Sequence, residues 1–412
     1  MSNIDEHTVK YSVARRFIIK LGIIAHGYGP SSVRLEVYLK QVIEALGYHG
    51  NFRSTRSEII YSFWKDDKMD QVMHMAAVEK GSFNMAKLAR VGELVESVVE
   101  GGISLDDAYE MLDEIETLPN PWGPAAKAVS FIFIGVGFSG LMSGNLWDIG
   151  VSGILGLFVY ANVYFAHKYG GRLFELLPFS SAYMIGMIAA VIKIFVPELN
   201  VSVVILSAII SIIPGFTVSA GIIEIVSNHV VSGSANLISG VIYLLKQFFG
   251  AWFGIATVSL LWSTTGITNV AATGSHGIWM FLPLLFIGLG IAYQSLIKDF
   301  SWVMICCLVS YLGVMFGNEF GIQYVGTLMG AIIASMFANF WARHFNRPTS
   351  IVLVPAITVM VSGSVGFQGL LIAAGGESDR GLGQFMQMFV VALVIAAGLL
   401  IANTIVRPRV TL

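Results

Sequence analysis

Two hydrophobic patterns divide the chain. Up to about residue 125 apolar positions recur in short, interrupted sets, and beyond it they run on for about 20 residues at a time. In the first stretch Leu35, Leu39, Val42, Ile43 and Leu46 keep helical spacing between a Gly29-Pro30 start and a Gly47 stop. A polar turn leads to Ile59-Ile60-Tyr61-Ser62-Phe63-Trp64, whose β-branched and aromatic content predicts a strand. Met85, Leu88, Leu94, Val95 and Val98 predict a second amphipathic helix ending near Gly101-Gly102. Ser104 with Asp107 predicts the N-cap of a third, reaching about Leu118. Residues 1–125 therefore read as a small α+β domain built for water.

Beyond Pro124 the apolar runs are long enough to cross a hydrocarbon core, which takes about 20 residues each. Ten spans are predicted near 127–145, 148–166, 179–196, 201–229, 238–262, 278–297, 301–317, 321–343, 350–374 and 384–406. Charge changes at the same boundary, Thr117-Leu-Pro-Asn-Pro-Trp122. Residues 1–125 hold 13 of the 24 Lys and Arg and 18 of the 26 Asp and Glu. With this domain inside, the inner turns and the C-terminus carry Lys168, Arg172, Lys298, Arg343, Arg347, Arg407 and Arg409. The outer turns carry Asp148, Glu198, Glu319, Glu377 and Asp379, with Arg380 alone among bases. Lys and Arg are retained on the cytoplasmic side during insertion, so both termini are expected in the cytoplasm, in a cell membrane.

The membrane region repeats itself. Phe133-Ile-Gly-Val-Gly137 returns as Phe286-Ile-Gly-Leu-Gly290, an offset of 153. Ala208-Ile-Ile-Ser-Ile-Ile-Pro-Gly215 aligns with Ala356-Ile-Thr-Val-Met-Val-Ser-Gly363 at an offset of 148, and Gly221 and Gly369 keep that register. The halves, 126–264 and 265–412, each take five spans. An odd number makes the second copy enter the membrane in the opposite sense, which is the inverted repeat of secondary transporters. The fold class expected is thus a polytopic α-helical membrane protein, two inverted five-helix repeats behind an α+β domain.

Composition narrows the function. Hydrophobic residues make up 55% and charged ones 12%, half the share of a soluble domain, which excludes a cytosolic enzyme. A net charge of −2 leaves no basic footprint for nucleic acid. Cys306 and Cys307 are adjacent in an apolar run and read as packing residues. The stretch Phe17 to Ala25 is short, carries Lys20 and precedes a long polar region, so it does not read as a secretion signal. No metal-ligand cluster or phosphate loop occurs, so neither a metal nor a cofactor is expected.

Candidate chemistry gathers in the fourth and ninth spans. Pro214-Gly215 lies mid-span, where proline removes a helical hydrogen bond. This predicts either an ordinary kink or a broken helix lining a substrate path, with Gly363 as its counterpart. Glu224 sits deep in the same span. It is either a proton-coupling or substrate-binding acid, or a group near the inner end that reaches water beside Asn228 and His229. Lys246 either pairs with it or snorkels to the interface. Thr217, Asn228, Ser362 and Gln368 are polar candidates for the pathway, able to bind a zwitterion or to pair helices. In the polar domain, His26, Arg34 and Glu36 form a motif read as a salt bridge or a contact with the membrane region.

These residues carry a resemblance. The chain resembles the threonine/serine exporter family from about residue 15 to its end. The match runs through His26-Gly27, Pro30-Ser31, Arg34-Leu35-Glu36, Asn84-Met-Ala-Lys87-Leu88, Pro214-Gly215, Glu224 and Ser232-Gly233. The segment Ile213 to Gly233 is similar to the eukaryotic-type pattern. The resemblance implies a ten-span secondary exporter of small hydroxylated amino acids driven by the proton motive force. Related two-chain forms imply dicarboxylate export as an alternative, and a non-transporting membrane signalling or structural protein of the same fold is a third. Asn236 stands where the family pattern has Arg, and Ser362 where the second Pro-Gly has proline. The expected partners are a small polar amino acid or dicarboxylate, protons, the lipid bilayer and a second copy in a homo-oligomer.

Overall fold

The computed structural model describes residues 2–29, 31–65, 70–78, 81, 83–262, 277–360 and 362–408. The polar region opens with helix α1 (Ser2–Gly27), which the sequence reading did not anticipate. Its stripe of Ala14, Phe17, Ile18, Leu21 and Ala25 is fully buried. Helix α2 (Ser32–Ala45) follows, with Ser31 at its N-cap. The expected start at Pro30 lies outside the described residues. Three antiparallel strands come next, β1 (His49–Ser54), β2 (Glu58–Trp64) and β3 (Val72–Ala77), in that spatial order, with Phe52 opposite Tyr61 and Tyr61 opposite His74. Only β2 was anticipated. In β1 Phe52 is the one large apolar side chain, and β3 is exposed at five of its six positions, so neither alternates in residue type. Helices α3 (Met85–Val99) and α4 (Leu105–Thr117) match expectation, capped by Asn84 and Ser104 side chains that accept from the amides of Lys87 and Asp107.

The rest of the described chain is helical, a polytopic membrane architecture. Eight helices, or nine spans if a bent pair is counted once, are long and apolar enough to cross a bilayer. Helices α5 (Pro124–Leu141), α6 (Leu146–Tyr169) and α7 (Arg172–Phe195) precede the bent pair. That pair is α8 (Val201–Ile209), prolonged by a 3-10 turn to Ile212, and α9 (Gly215–Val226), set at 59°. Then come α10 (Val230–Leu261), α11 (Ile278–Ala292), α12 (Ile297–Asn318), α13 (Val325–Phe345), α14 (Ser350–Val359), α15 (Ser362–Ala374) and α16 (Ser378–Ile405). Ten apolar segments fall where ten spans were expected. The sixth is shorter, because α11 ends at Ala292 and the following residues turn, with Gln294 in the left-handed region.

The two halves pack alike. Helix α7 lies on α10 as α13 lies on α16; α9 meets α10 as α15 meets α16; α6 meets α8 as α12 meets α14. Left-handed residues stand at matching corners, Ser143 with Gln294, Gly170 with Gly321, and Asn228 with Gly376. Asp148 and Asp299, both buried, open α6 and α12. Helices α5 and α11 run antiparallel. Gly288 packs on Ser130 and Ile134, Gly137 on Leu285, and Gly140 on Phe281, at distances that leave no room for a side chain on these glycines.

The N-terminal region is fastened to this bundle at several points. The first two amides of α3, from Met85 and Ala86, donate to the carbonyls of Tyr293 and Gln294 at 3.0 Å. Those donors lack partners within their own helix. Trp122 of the connecting segment donates its indole N–H to the Ser295 carbonyl at 2.7 Å. Glu93 accepts from Lys298 at 2.8 Å and from Arg347 at 2.6 Å, and Arg347 also reaches buried Asp299 at 2.6 Å. Burial pushes the Glu93 carboxyl up. The hydrogen bond from Lys298 and the charges of Lys298, Arg347 and Arg90 more than reverse it and hold the group below its usual value.

A carboxylate held low contributes stability that is complete above its ordinary value of 4.5 and is lost as pH falls through the lowered one. Hydrogen exchange in α3 is therefore expected to quicken as pH is taken below that value, once corrected for the intrinsic pH dependence, and Glu93→Gln is expected to abolish the change. Arg347→Ala leaves Asp299 buried without its partner. It is expected to cost about 3 kcal/mol in an unfolding titration.

Candidate functional site

Helix α8 cannot continue through Pro214, which supplies no N–H and clashes with the turn before it. The carbonyls so released need donors where water is scarce. Gln247 of α10, fully buried, donates to the Ile212 carbonyl at 3.1 Å. Ser362, at the start of α15, donates to the Gly215 carbonyl at 3.4 Å and shares a hydrogen bond of 3.0 Å with Ser219. Gly363 lies so close to Gly215 that an added Cβ would stand 2.8 Å from its Cα. Pro214, Gly215, Ser362 and Gly363 thus meet, where the bend between α8 and α9 touches the start of α15. Gln247 was not anticipated. A buried amide 35 residues from its acceptor leaves no local signal.

Glu224 does not reach water, as one of the two expected settings had it. It is 1% exposed, at the far end of α9, about 14 Å along the helix from Gly215. Its Oε1 accepts the backbone N–H of Ser32 at 2.9 Å. Its Oε2 accepts from the Ser232 hydroxyl and the Asn236 amide, each at 2.8 Å. Ser32 is the first residue of α2, whose N-cap Ser31 gives no side-chain cap. Glu224 therefore caps α2 across the interface, a carboxylate against the positive end of a helix. Ser32 and Ser232 close the ring with a 2.7 Å hydroxyl contact. Lys246 is not its partner and reaches the Glu175 carbonyl at 3.4 Å from an exposed position.

The polar motif gathers at the same seam. Glu36 accepts from the Ser54 amide at 2.8 Å and meets His229 at 3.0 Å. Arg56 donates to Asn236 at 3.2 Å, so a guanidinium from the β1–β2 turn stands behind a ligand of Glu224. His26 instead bonds the Thr55 carbonyl at 2.9 Å, within the N-terminal region. The expected contact between this motif and the membrane region is what Arg34 and Glu36 make. Asn228 is exposed and left-handed at the α9–α10 corner. Gln368 pairs with Gln384 at 2.9 Å, and Thr217 faces Gly240 of α10.

Between the seam and the break runs a cavity of about 230 Å³. Phe216, Ala220, Ile223 and Ser227 of α9 form one wall, Ser350, Leu353 and Ile357 of α14 a second, and Leu399 and Asn403 of α16 a third. Arg34 stands at the Ser350 end. Its guanidinium donates to the Ser350 hydroxyl at 3.4 Å, and burial pulls its pKa down to about 10, so it stays charged at neutral pH. Phe83 packs edge-on against Phe216 at 5.2 Å and Tyr293 at 5.6 Å, beside the break. Among the described residues no group of three His, Cys, Asp or Glu could hold a metal ion.

The profile described as "Putative threonine/serine exporter" matches residues 16–258, and "Threonine/Serine exporter, ThrE" matches 278–405. The threonine/serine exporter of Corynebacterium glutamicum is 24% identical over 408 residues, 94% of this chain and 81% of that protein. "Pheromone-regulated membrane protein 10" of Pichia sorbitophila is 23% identical over 376 residues, 89% of this chain and 38% of its own length. Its namesake in Candida albicans SC5314 is 23% identical over 390 residues, 92% of this chain and 35% of its own. The chain thus spans well under half the length of these yeast relatives. No solved structure matches. With profiles covering both membrane halves and most of the N-terminal region, the chain belongs to the threonine/serine exporter family, a family of membrane transporters rather than enzymes.

Proposed function

We propose that the chain is a secondary transporter that exports small polar amino acids, threonine- or serine-like, driven by the proton motive force. The observation that carries this reading is the contact of the bent α8–α9 span with the start of α15, Gly215 against Gly363, next to Phe216 of a cleft lined by α9, α14 and α16. Such a contact gives two halves a common pivot, and the bend leaves unwound backbone for a substrate. An inverted repeat over 126–264 and 265–412 belongs to the reading. The antiparallel crossing of α5 and α11 and the matching left-handed corners support it. So does a cytoplasmic N-terminal domain, supported by its charge density and by the basic inner turns. The export of threonine and serine rests on the name of the bacterial relative.

Glu224 is the proton carrier in this scheme. A proton on Oε2 displaces Ser232 or Asn236 of α10, and neutralising the carboxyl weakens its Oε1 as acceptor for the Ser32 amide at the start of α2. Glu224→Gln is expected to abolish proton-driven accumulation while leaving counterflow within about tenfold of wild type. Flux and proton uptake that both stay unchanged would refute the proton role.

In liposomes, counterflow of labelled threonine by the wild-type chain is expected and counterflow of succinate is not. The reverse pattern would establish a dicarboxylate exporter, and neither would leave a membrane protein without this transport. Gly363→Ala drives a methyl group into the Gly215 backbone. It is expected to cost about 2 kcal/mol of stability and most of the flux.

A further inference from the structure

The cleft holds a charge that no partner accounts for. Arg34 projects from the first turn of α2 to the Ser350 end, and among the described residues its side chain makes a single hydrogen bond, the long one to the Ser350 hydroxyl. The acids nearest in the fold are committed elsewhere. Glu36 is held by Ser54, His229 and Arg53, and Glu224 by Ser32, Ser232 and Asn236. A guanidinium offers five donors in a planar fork, and those not used by Ser350 stay open to the cleft, where a ligand can take them in place of water. The remaining wall is apolar along Ala220, Ile223, Leu353 and Ile357, with hydroxyls at Ser31, Ser227 and Ser350 near the charged end.

We infer that Arg34 is the carboxylate-binding residue of the inner cleft, gripping the substrate's carboxylate in a forked pair while the rest of the molecule lies along α9 and α14 toward the break. The inference deepens the export reading and rests on it for the direction of travel. The binding chemistry itself does not need transport. The cleft supplies a cation and hydroxyls but no free carboxylate, so it selects for a carboxylate on the ligand more strongly than for an ammonium group. It also gives the N-terminal region a task in recognition, since the guanidinium at the cleft mouth comes from α2 and not from the membrane helices.

Two readouts on the full-length chain test this. In detergent, L-threonine is expected to raise the melting temperature of the wild type, while L-threoninamide, which lacks the carboxylate, is not. In liposomes, Arg34→Gln is expected to raise the half-saturating threonine concentration at least about tenfold, with Arg34→Lys between it and wild type. Ala220→Phe fills the cleft without touching Arg34, and it is expected to abolish the thermal shift even where an Arg34 variant folds poorly. A threonine shift equalled by threoninamide, or an Arg34→Gln protein with wild-type half-saturation, would overturn the inference and leave the exporter reading standing. A thermal shift lost in Arg34→Gln in a chain that carries no threonine in liposomes would do the opposite.

Discussion

A helix broken inside a membrane must find donors and acceptors for its released peptide groups without help from water, and the arrangement of this bundle follows from how that is done. Pro214 ends one helix, and two carbonyls beside it accept from other elements. Ile212 is met by Gln247 of α10, and Gly215 by Ser362 of α15. The second answer comes from the residue that opens the counterpart helix. The bend between α8 and α9 is therefore packed and hydrogen-bonded against the first residues of α15. Glycine at 215 and 363 is what allows the two backbones to come within contact distance.

The far end of α9 meets the same demand at the protein's own seam. A buried carboxylate is costly unless its oxygens are filled with hydrogen bonds, and Glu224 has three, from Ser32, Ser232 and Asn236. All three donors are uncharged. Its oxygens are filled by hydrogen bonds rather than by an ion pair, and one donor is the N-terminus of α2. Placing the bond there makes this carboxylate one of the points that fasten the N-terminal region to the bundle. An ion pair with Lys246 would have held the charge inside the bundle and left α2 uncapped.

Much of this was legible in the sequence, and what was not shares a cause. The spans, the Pro-Gly break and its Gly363 counterpart, the Ser104 cap and the boundary near Trp122 all depend on residues close in sequence. The chain resolves such features locally, through periodicity and turn chemistry. Strand β1 was hidden because Gly50, Phe52 and Ser54 fill its buried face, and only one of them is apolar. Strand β3 is an exposed edge with almost no inward face. The Ser32 partner of Glu224 and the partners of Gln247, Glu93 and Arg347 were hidden because those contacts join distant segments. Arg347 is 254 residues from Glu93, and Ser32 is 192 from Glu224. The Asp148 and Asp299 pair was visible in principle, since each follows a tight turn at the start of a second helix. One is satisfied by the backbone of Asn145 and Asn200 and the other by Arg347, so the equivalence lies in placement and not in partners.

The departure from symmetry between the halves bears on the role of the acid. The residue that follows Gly363 at the distance of Glu224 from Gly215 is Ile372. The turn around it repeats, with the Glu377 amide on the Ile372 carbonyl as the His229 amide lies on that of Glu224. The backbone is thus duplicated at this corner and the carboxylate is not. An acid needed only to shape the corner would have served both copies equally. The corner that carries it is the one covered by α2, where Ser32, Glu36 and Arg56 supply the opposing groups. The asymmetry therefore belongs to the N-terminal region. Of the two corners, the one that carries the carboxylate is the one bonded to the first amide of α2, the helix that carries Arg34.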